Sequence, residues 1–140
     1  MSTRRRNIRP GGTRGTVFRE VSSVRLADAE VLLDQKRFGG AIYLAGYALE
    51  CLLKLSITHR RECVYLPANF EIHDLGILLM ESGLQPLLRE EDELRDVFWA
   101  LVESWGPELR YLAKAPEPAR ANSLYEQIVQ AYDWIAEQTV

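Results

Sequence analysis

The sequence predicts an all-α fold, an antiparallel four-helix bundle with up to five or six helices when short pieces are counted. Three observations lead to this class. Apolar residues recur at three- and four-residue steps along most of the chain, no segment alternates long enough to form a confident strand, and the connections have ordinary lengths. With 140 residues, 47% of them hydrophobic, the chain can bury a core without disulfides or a structural metal.

The first predicted helix begins at Val17 and ends near Lys36. Leu26 and Leu33 form a narrow apolar face on this helix, which either meets another helix or forms a dimer contact. The main apolar stripe lies on the opposite side and consists of Val17, Val21, Val24, Ala27 and Val31.

Gly39 and Gly40 predict a break, after which the second helix runs from about Ala41 to Arg60. Apolar residues surround most of this helix, as expected at the centre of a bundle. One narrow stripe carries polar groups and consists of Tyr43, Tyr47, Glu50 and Lys54. The simpler interpretation of this stripe is a helix-stabilising ion pair beside packing tyrosines. The alternative is a polar groove or dimer seam, in which the tyrosines stack and the charges orient a partner.

Two helices are predicted in the middle of the chain. A short one runs from about Ile72 to Glu81, with a stop signal at Gly83. A further helix has Pro86 in its first turn and acidic residues placed early, where the helix dipole favours them. Its buried face consists of Leu94, Val97, Phe98, Leu101 and Trp105.

The C-terminal part is also predicted to be helical. The segment PELRYL continues as a short turn or helix. Ser123 and Glu126 form a capping-box pattern, which predicts the start of the last helix. The apolar stripe of that helix consists of Leu124, Ile128, Ala131 and Ile135.

Residues 1–16 are predicted to be a flexible basic arm, followed by a helical domain over residues 17–140, because the arm is rich in glycine and poor in apolar residues. The net charge of −3 conceals this division, since no acid precedes Glu20. The arm is a solvated tail, a contact with phosphates of RNA or DNA, or a contact with the chain's own acidic surface. Its arginines are Arg4, Arg5, Arg6, Arg9 and Arg14.

Composition also bears on compartment and cofactors. Cys51 lies inside a predicted helix that keeps it too far from Cys63 for a disulfide, and reduced thiols without an export signal predict a cytoplasmic protein. The longest uncharged run, residues 38–49, is too short to cross a membrane. His59 and Cys63 are too few ligands for zinc, and we expect no metal and no cofactor.

Three segments carry a family resemblance. RLADAEVLLDQKRFGGAIYLAGYALECLLKLSI, HDLGILLMESGL and WGPELRYL resemble the HEPN superfamily of bacterial and archaeal helical domains, and the resemblance covers roughly residues 22–135. The resemblance implies a HEPN-like bundle of four or five helices that is usually a homodimer. It also implies a small nucleotidyltransferase encoded beside it, in a toxin–antitoxin or defence-like module.

Many HEPN members resemble metal-independent RNases, in which an Arg is followed four to six residues later by a His. That pattern is absent here, because Arg110 is followed by no histidine. Arg110 alone can hold a phosphate but cannot transfer a proton. His73, oriented by Asp74, could supply the proton transfer if folding brings it against Arg110. Alternatively, Asp74 caps a helix and His73 is a hydrogen-bonded interhelix residue.

Three functional hypotheses follow. The first is a non-catalytic dimeric module that binds a nucleotidyltransferase, a nucleotide or RNA. The second is an endoribonuclease with His73 as acid–base and Arg110 as phosphate clamp. The third is a purely structural subunit. The candidate ligand or partner groove consists of Tyr43, Tyr47, Glu50, Lys54, His73, Asp74, Arg110 and Tyr111.

Overall fold

The computed structural model describes residues 12–111 and 116–139, and every regular element in these ranges is helical. The prediction of an all-α fold is therefore confirmed. Two 3-10 helices, Ala68–Phe70 and Pro107–Tyr111, lie in the connections. The α-helices of the described ranges are α1 (Gly15–Asp34), α2 (Phe38–Arg60), α3 (Leu75–Ser82), α4 (Gln85–Leu88), α5 (Asp92–Ser104) and α6 (Pro118–Gln138).

Helix α2 is the centre of the fold. It packs against α1, α3, α6 and the 3-10 helix Pro107–Tyr111. Every residue from Cys51 to Thr58 is buried, because this helix is apolar on nearly every side and needs neighbours on several sides to leave water. Among the described helices, α2 alone is long and apolar enough to cross a membrane, and 78% of its most apolar window is buried inside the protein.

The predicted break at Gly39 and Gly40 is wrong, because both glycines lie in the first turn of α2. The chain instead reverses direction over residues 35–37, where Lys36 has a φ of 60°. This conformation lets the backbone N–H groups of Lys36 and Arg37 donate to carbonyls in the last turn of α1. A short turn therefore ends one helix and begins the next without glycine.

Helix α1 turns most of its main apolar stripe outward, although Val21 of that stripe packs against the core. The residues it buries are Phe18, Ser22 and Ala29, together with Gly15 at its start, and Leu26 packs against the core from the same side. The narrower of the two predicted apolar faces therefore meets the other helices. The exposed fraction is 43% at Val17, 46% at Val24 and 61% at Val31.

The single helix predicted to have Pro86 in its first turn and to continue through Trp105 is in fact two helices, and the second ends at Ser104. Helix α4 is one turn long, with Pro86 near its start, and α5 begins separately at Asp92. Asp92 and Glu93 occupy the first turn of α5, where their charges interact favourably with the helix dipole. The acidic run therefore marks a new helix start and does not extend the one that begins at Pro86.

The capping-box prediction for α6 is wrong, because the helix begins at Pro118 and Ser123 lies exposed inside it. Proline has a helical φ and no N–H to leave unpaired, so Pro118 starts the helix without a side-chain cap. The predicted stripe of this helix is confirmed, since its buried residues include Leu124, Ile128, Ala131 and Ile135.

Residues 12–14 of the predicted arm run beside the loop that follows α2, and residues 15 and 16 belong to α1. The backbone N–H of Leu66 donates to the carbonyl of Thr13 at 2.8 Å. The guanidinium of Arg14 lies 5.3 Å from the centre of the Tyr65 ring, within range of a cation–π contact. The remaining arm arginines, Arg4, Arg5, Arg6 and Arg9, lie outside the described residues.

Candidate functional site

Three of the predicted groove residues meet beside the middle of α2. The Glu50 side chain is 1% exposed, and its Oε2 accepts a hydrogen bond from Lys54 Nζ at 2.9 Å. His73 Nδ1 lies 3.1 Å from Oε2 and 3.2 Å from Oε1 of the same carboxylate. One buried carboxylate thus joins a lysine of α2 to a histidine in the loop before α3. We call Glu50, Lys54 and His73 the Glu50 cluster.

The contacts of His73 decide which imidazole nitrogen is available to a ligand. The carboxylate of Glu50 faces the ammonium of Lys54 and acts as an acceptor, so His73 Nδ1 carries the hydrogen in their contact. Nε2 then holds the lone pair of the neutral ring, and it makes no hydrogen bond within the part of the chain that the structure describes. The side chain is 52% exposed, so Nε2 can reach a ligand.

Lys54 balances the charge of the cluster. Its side chain is only 9% exposed, and Nζ lies 5.9 Å from the centre of the Phe18 ring of α1. Burying a charged side chain costs free energy, so removing either Lys54 or Glu50 would leave the other as a buried charge without its ion-pair partner. The cluster is therefore neutral when the imidazole is neutral and carries one positive charge when His73 is protonated.

An aromatic row continues from the cluster along α2, and we define it as Tyr47, Tyr43 and Trp105. The ring of Tyr43 lies 6.5 Å from that of Tyr47 and 6.2 Å from that of Trp105, with interplanar angles of 15° and 18°. Trp105 Nε1 donates to the carbonyl of Ile42 at 3.1 Å. A Cβ at Gly46 would overlap the Trp105 indole, so only glycine allows this approach.

Burial keeps two groups beside the cluster protonated. Burial, with smaller contributions from nearby Cys51 and Glu50, raises the pKa of the Tyr47 hydroxyl to about 12. Burial also raises the pKa of the Cys51 thiol to about 11, with Glu50 contributing. Since the thiolate is the nucleophilic form of cysteine, Cys51 is not a nucleophile at neutral pH.

Asp74 has the capping role. Its Oδ1 accepts a hydrogen bond from the backbone N–H of Ile77 at 2.9 Å, at the start of α3. The carboxylate that contacts the imidazole of His73 is Glu50, on a different helix. The orienting role that the enzyme hypothesis assigns to Asp74 therefore belongs to Glu50.

Arg110 and Tyr111 lie in the 3-10 helix Pro107–Tyr111, which packs against α2. The chain reaches this position after Trp105, which contacts Tyr43 on α2. The structure therefore brings the backbone of this segment to the helix that carries the cluster. The side chains of Arg110 and Tyr111 lie outside the described part of the chain.

Three residues of the site were not assigned to it from the sequence. Phe18 faces Lys54, Cys51 lies one helical turn from Tyr47, and Trp105 stacks on Tyr43. One signal could have indicated Trp105. Gly46 is a poor helix former in the middle of a long apolar helix, which indicates close approach of another group.

No metal site emerges among the described residues, which contain no group of three or more His, Cys, Asp or Glu side chains placed to hold an ion. His59, the other histidine of the chain, contacts Arg19 Nη2 at 3.3 Å.

The chain matches no family model, no curated protein and no solved structure. The HEPN resemblance accordingly enters below as part of a proposal.

Proposed function

We propose that the chain is a HEPN-like antiparallel bundle that binds a nucleotide or RNA at the Glu50 cluster without catalysing a reaction on it. The observation that supports this most is the imidazole of His73, held by a buried carboxylate with Nε2 available to solvent. A protonated imidazole donates a hydrogen bond from Nε2, and phosphate oxygens are strong acceptors. Because Lys54 neutralises Glu50, this protonated state leaves a net positive charge for a phosphate.

The aromatic row supports a nucleotide as the ligand. Tyr47 precedes Glu50 by three residues on α2, and both Tyr47 and Tyr43 are half-buried, so part of each ring remains accessible. Bases stack on aromatic rings without strong sequence preference. A ligand with its phosphate at His73 and its base at Tyr47 would use two neighbouring parts of one groove.

The proposal includes the two partners that the HEPN resemblance implies, a second copy of the chain and a nucleotidyltransferase. Two copies of the chain would form a homodimer in the cytoplasm. This homodimer would bind a nucleotidyltransferase of the same toxin–antitoxin or defence-like system. Sedimentation equilibrium of the purified chain tests the dimer, and copurification with a nucleotidyltransferase encoded beside it tests the partner. A monomer at 100 μM would contradict the dimer but leave ligand binding at the cluster standing.

Ligand binding is tested by fluorescence anisotropy with a labelled single-stranded RNA and a fluorescent ATP analogue. We expect His73→Ala to weaken binding of at least one probe tenfold or more, because it removes the accessible imidazole. His59→Ala is the matched control, since His59 is an exposed histidine that contacts Arg19 outside the cluster. Circular dichroism confirms that both variants fold.

The same titration can contradict the proposal in two ways. Equal affinities for the wild type and His73→Ala would show that the ligand binds elsewhere. Absence of binding of either probe by the folded wild type would remove nucleotide and RNA recognition.

The contact between His73 Nδ1 and Glu50 also favours a second candidate, a metal-independent endoribonuclease. A carboxylate on Nδ1 fixes the tautomer in which Nε2 can take and return a proton. Arg110 would then hold the phosphate. The test is an RNA-cleavage time course in excess EDTA with the wild type, His73→Ala and Arg110→Ala.

Cleavage that is lost in both variants, but kept in the control Asp74→Asn, would establish the enzyme and replace the binding module. No cleavage by the wild type, or equal cleavage by all variants, would remove this candidate.

A further inference from the structure

Helix α1 presents apolar residues to solvent, and we call the stripe formed by Val17, Val24, Ala27 and Val31 the valine stripe. The neighbouring Val21 packs against the core and is left out of the stripe, whereas Ala27 is exposed and Val17, Val24 and Val31 are 43%, 46% and 61% exposed. These three valines are seven residues apart, so they recur about every 10 Å along one line of the helix. No described element of the chain covers this line.

The valine stripe is not needed to hold α1 in place. The helix packs on α2 through its opposite side, where Phe18, Ser22 and Ala29 are buried. Apolar side chains at heptad spacing form one of the two rows by which a helix packs against another, and Ala27 lies beside this row. The stripe thus has the geometry of a helix-docking surface.

Charge at the edge of the stripe indicates what kind of helix fits. Glu20, Asp34 and Glu30 are exposed on one side of the stripe, about 40°, 80° and 120° around the helix from Val24, and none of them forms an ion pair within the described residues. Glu30 and Asp34 also act on Tyr125 of α6, where burial first and these two carboxylates next raise the pKa of the phenol. This edge of the stripe is therefore a negative surface shared with α6.

A second copy of the chain does not complement this pattern. In an antiparallel pairing of two valine stripes, the acidic edges would face each other and repel. In a parallel pairing, each acidic edge would meet the opposite edge of the other copy. Arg25 lies there, but it already pairs with Asp28 at 2.8 Å and offers no unpaired cation.

We propose that the valine stripe docks a basic amphipathic helix of another protein. Such a helix would place apolar residues against Val17, Val24 and Val31 and its lysines or arginines along the edge formed by Glu20, Glu30 and Asp34. This proposal is independent of the ligand at the Glu50 cluster.

The test uses a fluorescein-labelled 21-residue helical peptide with leucines at three- and four-residue spacing and lysines along one edge of the leucine face. A second peptide carries glutamates in place of the lysines. We expect the lysine peptide to bind the wild-type chain and the glutamate peptide not to bind. Anisotropy at 50 and 300 mM salt measures both affinities.

Two sets of variants locate the contact. The triple variant V17S/V24S/V31S is expected to weaken binding of the lysine peptide at least tenfold. The triple variant E20K/E30K/D34K is expected to reverse the preference between the peptides. Leu87→Ser is the matched control, because Leu87 is an exposed apolar residue of α4, outside the valine stripe, and it should leave binding unchanged.

Three results would overturn the proposal. They are equal binding of the two peptides, unchanged binding by V17S/V24S/V31S, and a wild-type dimer that this variant dissociates in sedimentation equilibrium. The last result would show that a second copy occupies the stripe. Because E20K/E30K/D34K keeps every valine, it still tests the charge argument if the serine variant does not fold.

Discussion

Cys51 illustrates how burial sets the chemistry of a single residue. The unfolded chain ionises this thiol around its ordinary pKa of 9.0, whereas burial keeps the folded thiol protonated to about pH 11. The contribution of Cys51 to stability is therefore complete below pH 9 and is lost as the pH rises from 9 to 11. Between pH 8 and pH 10, we expect the wild type to lose about 1 kcal/mol more stability than Cys51→Ala.

Urea unfolding of both proteins at pH 8, 9 and 10 measures this difference. Comparison of the two proteins removes the contributions of other groups that titrate alike in both. Parallel loss of stability in the wild type and Cys51→Ala would show that the thiol ionises equally in the folded and unfolded chains.

Gly46 is the second residue whose identity the packing requires. In Gly46→Ala, the new Cβ would overlap the Trp105 indole, whose Nε1 is held by the carbonyl of Ile42. We expect a loss of about 1–3 kcal/mol in the free energy of unfolding, as for other overpacked sites. Thermal and urea denaturation measure it.

Gly39→Ala is the control for that experiment. Gly39 lies in the same helix as Gly46, but a Cβ at Gly39 would have open space around it. Alanine favours helix over glycine, so this variant should be as stable as the wild type or slightly more stable. Similar losses in both alanine variants would mean that Trp105 does not limit the space at Gly46.

At the scale of an element, α2 combines a core helix with a polar stripe. The stripe places Glu50 and Lys54 four residues apart in the order that favours ion pairing, and burial then makes each dependent on the other. A buried ion pair is by itself weak evidence of stabilisation. Its clearer consequence here is that it fixes a charged acceptor where His73 arrives from another element.

Two neighbouring residues before α3 have different roles, since Asp74 caps the helix and His73 belongs to the Glu50 cluster. Asp74→Ala removes the acceptor of the Ile77 N–H and is expected to cost about 1 kcal/mol of stability. Asp74→Asn should retain most of that stability, since asparagine is an equally good N-cap. Urea unfolding checks both values.

The same two variants should bind the RNA and nucleotide probes like the wild type, because Glu50 and not Asp74 contacts His73. Tenfold weaker binding by Asp74→Asn, with unchanged stability, would show that Asp74 belongs to the binding site.

At the scale of the whole molecule, the segment before α1 joins the start of α1 to the loop that follows α2. Leu66 is 1% exposed, and its backbone N–H has the carbonyl of Thr13 as acceptor. A chain that begins at Gly15 leaves this buried donor unpaired and loses the contact between Arg14 and Tyr65. We expect it to be about 1–2 kcal/mol less stable than a chain that begins at Gly12.

Chemical denaturation of the two truncated chains measures this difference. Both chains lack residues 1–11, so their difference in stability reports residues 12–14 alone. Equal stabilities would mean that residues 12–14 do not contribute to the fold.

Much of the fold could be predicted from the sequence because helical periodicity is a local property. The buried stripe of α6 followed from its three- and four-residue spacing. The stop at Gly83 followed from the freedom of glycine to take a φ of 80°. The start of α6 and the division between α4 and α5 were mispredicted, because several competing start signals satisfied the same local rules.

By itself, the sequence determined the all-α class and the grouping of Tyr47, Glu50 and Lys54 on one side of α2, since a rotation of about 100° per residue places them together. Only the tertiary structure decided that α1 turns its valine stripe outward and that His73 meets Glu50. Both depend on contacts between separate elements, and Glu50 and His73 are 23 positions apart. The spacing of apolar residues along the chain defines the apolar faces of a helix, whereas the packing of neighbouring helices decides which of these faces is buried.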